Sequence, residues 1–252
     1  MHVTQLQVEL DAELGTGYLQ RLESGRVRQP ERLTLQRILY ALGAQFNERR
    51  DVLEAFGYTV RIDPPTPRHY EWAISLSWQE LAEFPFPAYV LDCRHRLVSW
   101  NKRFPLLLGP NKDLVVASQL TDRSFLGTWF DPGSPLYPLI AEPDDLYPAL
   151  LRAFRHEMRQ YQYASWYEDV MDELRQFPLF VQYWDRLNDR PQHTGAGRAL
   201  VPLRLVLPDG AEARFRLSAE PFTRDSRFRI VYYFPDDAET FAICENWYSV
   251  AT

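Results

Sequence analysis

The sequence predicts an α+β protein in which an N-terminal all-α bundle precedes a five-stranded antiparallel sheet with helical insertions. Up to residue 57, apolar residues recur every three or four positions, which is the period of a helix packed on one face. After residue 200 they alternate with polar residues, which is the period of a half-buried strand. Between the two regions, residues 63–67 contain three prolines. These patterns predict two domains of different class.

Residues 4–30 form the first predicted unit, two short helices joined by a tight turn. Apolar residues fall four apart in the first helix (Val8 and Ala12) and three apart in the second (Leu19 and Leu22). This spacing places them on one face of each helix. Two helices joined in this way form a helix-turn-helix, whose second helix fits the major groove of DNA. The alternative is an ordinary helical hairpin with glycine at its turn.

This segment resembles the repressor-like helix-turn-helix proteins of the lambda and 434 phage repressor type, the XRE family. The resemblance rests on Thr4, Gln5, Leu19, Leu22, Glu23, Gly25, Arg26, Arg28 and Pro30. The recognition face that it implies consists of Thr16, Gly17, Gln20 and Arg21. The implied phosphate contacts come from Gln5, Arg26 and Arg28. We therefore expect the chain to bind double-stranded DNA as a homodimer.

The segment also departs from the family pattern. Glu13 stands where the turn commonly has glycine, and Glu9 stands where a small residue usually follows the apolar position. We expect both acids to be unfavourable beside a phosphate backbone. The family's first helix is apparently missing, because too few residues precede Thr4, and no arginine is available to pair with Glu23. Either the start codon lies further upstream, or the DNA-binding half is truncated and non-functional.

Two further helices complete the predicted bundle. One ends at Gly43, and the other begins at Asn47 and ends at Gly57. The prolines that follow cannot continue a helix and favour an extended, semi-rigid linker. The predicted organisation is therefore a DNA-binding domain at 1–60, a linker at 61–69 and a second domain at 70–252. The alternative is a loop within one larger domain.

The second domain is predicted to contain five strands. After a helix at about residues 72–83, two β-rich runs at 88–91 and 96–100 form a hairpin, and Asn101 caps a short helix. A long helical region follows, up to residue 189. Three alternating segments near residues 203–207, 215–217 and 228–232 supply the remaining strands, with Asp209-Gly210 as a hairpin turn. Five strands interrupted by helices in this way are typical of a PAS-type sheet.

Residues 87–101 and 177–184 resemble the MmyB-like regulator ligand-binding domain, which follows a repressor-type helix-turn-helix in a bacterial regulator family. The resemblance implies a PAS-like domain that binds a small apolar, fatty-acid-like molecule. Ligands of such domains lie between sheet and helices, against apolar and aromatic side chains. Most aromatic residues must form the core. The candidate ligand-binding residues are Trp100, Phe104, Trp129, Phe180, Trp184, Phe215 and Tyr232.

Composition excludes several other classes. The hydrophobic fraction is 46%, too high for a disordered chain, and no apolar run approaches the ~20 residues that a membrane span needs. The N-terminus has no secretory signal, and Cys93 and Cys244 are expected to be reduced core thiols of a cytoplasmic protein. The net charge of −6 lies after residue 69, because arginines and acids cancel before it. Non-specific affinity for DNA is therefore expected to be low.

No residue pattern indicates an enzyme, a metal site or a bound cofactor. The nearest approach to a catalytic group is His156 beside Glu157, together with the acid pair Asp144-Asp145. We interpret His156 as a solvated side chain and the acids as helix-start charges. Three hypotheses stay open: a ligand-responsive transcription regulator, a ligand- or partner-binding module with a non-functional DNA-binding half, and an unrecognised enzyme.

Overall fold

The computed structural model describes residues 4–121, 123–189 and 200–251, and the chain divides into two units. The first unit is Met1–Ile62 together with Phe222–Ser226, and the second is Asp63–Pro221 together with Arg227–Thr252. Helices at the N-terminus followed by a five-stranded antiparallel sheet with helical elements confirm the predicted α+β class.

The first unit contains four short helices. They are α1 (Gln5–Asp11), α2 (Tyr18–Glu23), α3 (Arg32–Ala41) and α4 (Phe46–Ala55). The helical periodicity places Val8, Ala12, Leu19 and Ile38 in one buried cluster, and Leu35, Leu39 and Leu53 in another. The side chain of Thr4 accepts a hydrogen bond from the backbone N–H of Gln7, so it caps α1.

Glu9 has a structural role that its sequence position does not suggest. The residue is only 4% exposed. Its carboxylate accepts hydrogen bonds from the backbone N–H groups of Gly17 (2.9 Å) and Leu19 (2.8 Å), at the start of α2. Gly17 has a φ of 81°, where an L side chain would be strained. We expected Glu9 to lie beside the phosphate backbone of DNA, where its charge would be unfavourable. It is instead buried, and its carboxylate caps the second helix.

A segment from the far end of the sequence belongs to this unit. The side-chain carbonyl of Asn47 accepts a hydrogen bond from the backbone N–H of Ser226 (2.9 Å), and its amide donates to the carbonyl of Thr223 (2.9 Å). Because Gln45 is the N-cap of α4, Asn47 lies inside the helix rather than capping it. Its side chain instead holds residues 222–226.

The second unit is built on one sheet. Its strands are β1 (Ala88–Asp92), β2 (Leu97–Trp100), β3 (Val201–Val206), β4 (Glu212–Pro221) and β5 (Phe228–Pro235). Their order in the sheet is β2-β1-β5-β4-β3, and every neighbouring pair is antiparallel. The β3–β4 connection turns at Gly210, which has a φ of 86°. This left-handed conformation is the one that the Asp-Gly pair predicts.

Seven helices accompany this sheet in the described residues. They are α5 (Pro67–Glu83), α6 (Asp113–Gln119), α7 (Phe125–Thr128), α8 (Pro143–Met158), α9 (Tyr167–Arg175), α10 (Pro178–Asp189) and α11 (Ala238–Ala251). Helix α5 begins at Pro67, inside the segment that we expect to be a linker. Proline is tolerated there because the first residue of a helix has no intrahelical partner for its N–H group.

The two faces of β5 meet different helices. Phe228 and Tyr232 lie on the side of α5, where the Tyr232 hydroxyl donates to Glu80. Arg229 lies on the opposite face, where it pairs with Glu157 of α8. Helix α8 packs on β3, and α10 packs on α8. Among the described helices, none combines the length and the apolar character needed to cross a membrane.

Candidate ligand-binding site

A cavity of about 100 Å³ lies in the second unit, between the α8 side of the sheet and the helices. Four structural groups supply its walls: alternate residues of four strands, one face of α8, the segment around α7, and the turn between β1 and β2. The lining residues are Tyr89, Leu91, His95, Phe125, Leu126, Trp129, Leu150, Ala153, Phe154, Glu157, Val201, Leu217, Ala219, Arg229 and Val231.

The periodicity of each element explains why these side chains meet. Along a strand, every second side chain points to the same face, so Arg229 and Val231 line the cavity together. On α8 the lining residues Leu150, Phe154 and Glu157 follow the spacing of one helical face. One charged residue on β5 and one on α8 therefore occur at positions that otherwise carry apolar side chains.

Aromatic rings form the apolar wall. The rings of Tyr89 and Phe125 lie 4.7 Å apart, and Phe125 meets Trp129 edge-on at 6.2 Å. The carbonyl of Trp129 accepts a hydrogen bond from the Tyr147 hydroxyl at 2.9 Å. Because these rings pack against one another, each restricts the movement of its neighbours in the cavity wall.

The polar end of the cavity is a small charge cluster, in which Arg229 and His95 are buried and the Glu157 side chain is 24% exposed. The guanidinium of Arg229 pairs with the carboxylate of Glu157 and donates to the backbone carbonyl of Asp92 at 3.0 Å. The Nε2 atom of His95 lies 3.6 Å from Glu157. Arg229 and His95 are each only 6% exposed. A charge of this kind is costly to bury unless it is paired, and here Glu157 provides the pairing.

Burial shifts the proton affinity of two of these groups in opposite directions. It raises the pKa of Glu157, a shift that the positive charge of Arg229 opposes and the negative charge of Asp92 reinforces. It lowers the pKa of His95 well below the ordinary 6.5, and the charge of Arg229 lowers it further. His95 is therefore neutral at physiological pH, and Glu157 is the group that takes up a proton more readily than in water.

Two nitrogen atoms in this cluster have no hydrogen-bond partner among the described residues. They are Nη2 of Arg229 and Nε2 of His95. Buried polar atoms in folded proteins are almost always hydrogen-bonded, so an open donor on a guanidinium that lines a cavity indicates room for a ligand acceptor. The arrangement can hold a small molecule that is apolar along most of its length and has an acceptor at one end.

A second depression of about 410 Å³ lies on the surface of the same unit. Its lining residues are Leu108, Lys112, Val115, Pro135, Pro138, Leu139, Val206, Leu207 and Pro208. It is larger, but its one charged lining residue, Lys112, is exposed, and no buried polar group faces it. We therefore take the smaller, better enclosed cavity as the candidate site.

The structure distributes the seven candidate ligand-binding residues over several regions. Trp129 lines the cavity. Phe104 packs behind its wall on Tyr89 and Phe125, and Phe215 packs on Tyr233. The rings of Phe180 and Trp184 stack on each other at 5.5 Å. Trp100 lies in β2, an edge strand, and Tyr232 lies on the opposite face of the sheet.

Three residues of the site, His95, Glu157 and Arg229, were not among the predicted binding residues. A signal for two of them exists in hindsight. Arg229 interrupts the apolar run of β5, and Glu157 continues the apolar stripe of α8. When a charged residue lies on the face of a strand or helix that otherwise carries apolar side chains, it indicates a buried partner or a binding site.

The predicted DNA-contacting residues surround α2 in the first unit. Thr16, Gln20, Arg21, Arg26 and Arg28 are exposed. Gly17 is the N-cap of α2, so it and Thr16 precede the helix. The guanidinium of Arg21 lies over the Tyr18 ring, 5.7 Å from its centre. The side chain of Gln5, which we expect to contact phosphate, donates to Glu23 and so takes the place of the expected arginine.

Among residues 4–121, 123–189 and 200–251, no group of three or more histidine, cysteine, aspartate or glutamate side chains could hold a metal ion. Residues 79–246, two thirds of the chain, match the family model of the MmyB-like transcription regulator ligand binding domain. A comparison with curated proteins found no match.

Proposed function

The chain belongs to the family of MmyB-like transcription regulator ligand-binding domains, and on that basis we propose that it is a DNA-binding regulator that senses a fatty-acid-like molecule. The ligand occupies the cavity between the sheet and α8, in a domain of PAS-like architecture. The strand order β2-β1-β5-β4-β3 supports that architecture. The first unit binds DNA as part of a homodimer, and the occupied and empty states of the cavity differ in their affinity for DNA.

The observation that carries this proposal is an apolar cavity with one open guanidinium donor. Nη2 of Arg229 has no hydrogen-bond partner among the described residues, and it belongs to a guanidinium that lines the cavity. An amphiphilic ligand accounts for both features, because its tail contacts the aromatic wall and its polar end reaches Arg229. Each methylene group buried contributes ~0.8 kcal/mol, so a chain of about ten methylenes supplies enough free energy to offset ordering costs.

The size of the cavity adds a mechanistic element. At about 100 Å³ it is smaller than the ~300–1,000 Å³ typical of pockets that hold such ligands. A long acyl chain must therefore widen it by moving the residues of α8 or of the segment around α7. A ligand that binds only the widened state shifts the population toward that state, which is the requirement for a switch.

Two variants of α8 test the cavity. Ala153 lines it, whereas Ala149, one turn earlier on the same helix, does not. Ala153→Trp should fill the space and abolish the rise in melting temperature that dodecanoate produces, and Ala149→Trp should leave that rise in place. Native mass spectrometry of protein from cells should show a co-purified ligand in the wild type and in Ala149→Trp only. Equal responses of the two variants would contradict the assignment of this cavity.

Electrostatics of the first unit support DNA binding by α2 and the loop after it. Arg21, Arg26 and Arg28 are exposed within eight consecutive positions of the chain. Selection of duplexes from a random library with the full chain should return an inverted repeat with half-sites about one helical turn apart. Recovery of no motif would overturn this part of the proposal.

A second candidate function is a ligand- or partner-binding module whose N-terminal unit does not bind DNA. One observation favours it. Helix α1 exposes two leucines four positions apart, Leu6 (57% exposed) and Leu10 (65% exposed). An apolar stripe of this kind suits a protein contact better than a phosphate backbone. The same duplex selection decides between the two candidates.

A further inference from the structure

The charge balance of the cluster at the polar end of the cavity restricts what can bind beside Arg229. Glu157 already neutralises the guanidinium. The other nearby acid, Asp92, has its carboxylate occupied, because Oδ1 accepts from the backbone N–H groups of Arg94 (2.9 Å) and Arg96 (2.8 Å) and Oδ2 accepts from the Tyr70 hydroxyl (2.6 Å). An anionic ligand entering this site therefore adds a negative charge that the resident groups do not balance.

We propose that the ligand binds as a carboxylate which replaces Glu157 on Arg229, and that Glu157 takes up one proton from solvent as the ligand enters. This inference rests on the proposed function, since it specifies the polar end of the same ligand. It makes binding proton-linked: a free carboxylate and a proton enter the site together, and the net charge of the cluster does not change.

The geometry supports an exchange of carboxylates. Glu157 contacts one side of the guanidinium, and Nη2 on the same group has no partner among the described residues. A ligand carboxylate that reaches Nη2 comes close to the Glu157 carboxylate. Two carboxylates that share one buried cation cannot both stay ionised without strong repulsion, so one of them acquires a proton.

Glu157 is the better proton acceptor of the available groups. Arg229 from β5, Asp92 from β1 and His95 from the turn after β1 face it in the described structure. Burial raises the pKa of Glu157, and the opposing effect of Arg229 disappears once the ligand takes that partner. Burial and Arg229 both lower the pKa of His95, so protonation of the imidazole is disfavoured.

The linkage predicts how affinity depends on pH. Above the pKa that Glu157 has in the empty cavity, affinity for a carboxylate should fall about tenfold for each unit of rising pH, since one proton must be bound with the ligand. Below that pKa Glu157 is already protonated, and affinity should be constant while the ligand stays ionised. A neutral ligand of equal length should show no such dependence.

The test is isothermal titration calorimetry of the full chain in buffers of different ionisation enthalpy, which counts protons taken up per ligand. Dodecanoate and dodecanol are the probes, and wild type and Glu157→Gln are the proteins. We expect about one proton per dodecanoate in the wild type and about none in Glu157→Gln, because the amide needs no proton to lose its charge. Binding of dodecanol should cause no proton uptake in either protein.

Each outcome has a defined meaning. Dodecanoate binding without proton uptake in the wild type over the whole range from neutral to alkaline pH overturns the inference. So does uptake that persists in Glu157→Gln, because the ligand then binds as the neutral acid. Binding of dodecanol but not dodecanoate overturns the inference and leaves the proposed function intact. Binding of neither probe overturns both.

Discussion

Replacement of Glu9 by alanine should loosen the start of α2 more than its place in the sequence suggests. The carboxylate accepts two backbone hydrogen bonds, from Gly17 and Leu19, in a site where Glu9 is only 4% exposed. A hydrogen bond to a charged group contributes ~1.5–3 kcal/mol, and loss of an N-cap acceptor costs ~0.5–2 kcal/mol. Because removing the buried charge also removes its desolvation cost, we expect a net loss of about 2 kcal/mol in the local stability of α2.

Glu13 provides a matched control. It lies in the same turn, its side chain is 77% exposed, and it pairs with Arg37 at 3.2 Å on the surface. Exposed pairs of this kind contribute ~0–1 kcal/mol, so Glu13→Ala should have a small effect. The comparison separates a buried cap from a surface charge with the same substitution.

Hydrogen exchange is the suitable assay. All seven tryptophans lie in the second unit, so their fluorescence does not report on the first. A loss of about 2 kcal/mol corresponds to about 30-fold faster exchange of the amides at residues 17–23 in Glu9→Ala. Unchanged exchange in that variant, or equal acceleration in Glu13→Ala, would show that the Glu9 carboxylate does not stabilise the start of α2.

Three further predictions concern other parts of the molecule. Asn47→Ala removes three side-chain hydrogen bonds, to residues 222, 223 and 226, so exchange at the Ser226 amide should accelerate about tenfold. Glu54→Ala, an exposed change on the same helix, should have no effect there. Arg21→Ala should reduce discrimination between selected and scrambled duplexes by ~1–3 kcal/mol in competition binding; equal loss of affinity for both would assign Arg21 to phosphate contact instead. The pKa of His95 is lower in the folded state than the ordinary 6.5, so the unfolded state binds more protons. The second unit should therefore lose stability as pH falls below 6.5. Unfolding followed by tryptophan fluorescence should show a smaller loss of stability in His95→Gln.

Local patterns in the sequence predicted the elements of the fold. Asn101 lies two residues before Arg103, the N-cap of the short helical segment Phe104–Leu108, so it does not cap that segment as predicted, but its side-chain oxygen accepts from the backbone N–H of Phe104 at 3.1 Å. Asp209-Gly210 turns the β3–β4 hairpin as its residue types require. These features depend on residues near one another in the chain, and short-range rules describe them well.

The polar end of the cavity was not predicted, because it depends on contacts between distant elements. Glu157 and Arg229 are 72 positions apart, and neither shows its partner in the sequence. Likewise, the number of aromatic residues does not show which of them form the core and which line the cavity. Trp129 faces the cavity, whereas the equally hydrophobic Phe215 fills the core beside it. Burial alone does not distinguish the two roles.

The Glu9 cap was also not predicted, for a different physical reason. Glutamate in a helix is ordinarily exposed, and the sequence interpretation placed it beside a phosphate backbone. The acid is buried because the tight turn brings two backbone donors of α2 over α1, and a carboxylate satisfies both at once. Only the three-dimensional turn reveals these donors.

The most direct test of the central claim is the effect of the ligand on DNA binding. Fluorescence anisotropy of the selected duplex should be measured with the full chain, with and without saturating dodecanoate, in the wild type and in Ala153→Trp. We expect dodecanoate to change the affinity of the wild type for the duplex and to leave that of Ala153→Trp unchanged. An affinity that dodecanoate leaves constant in the wild type, or shifts equally in both proteins, would contradict this claim.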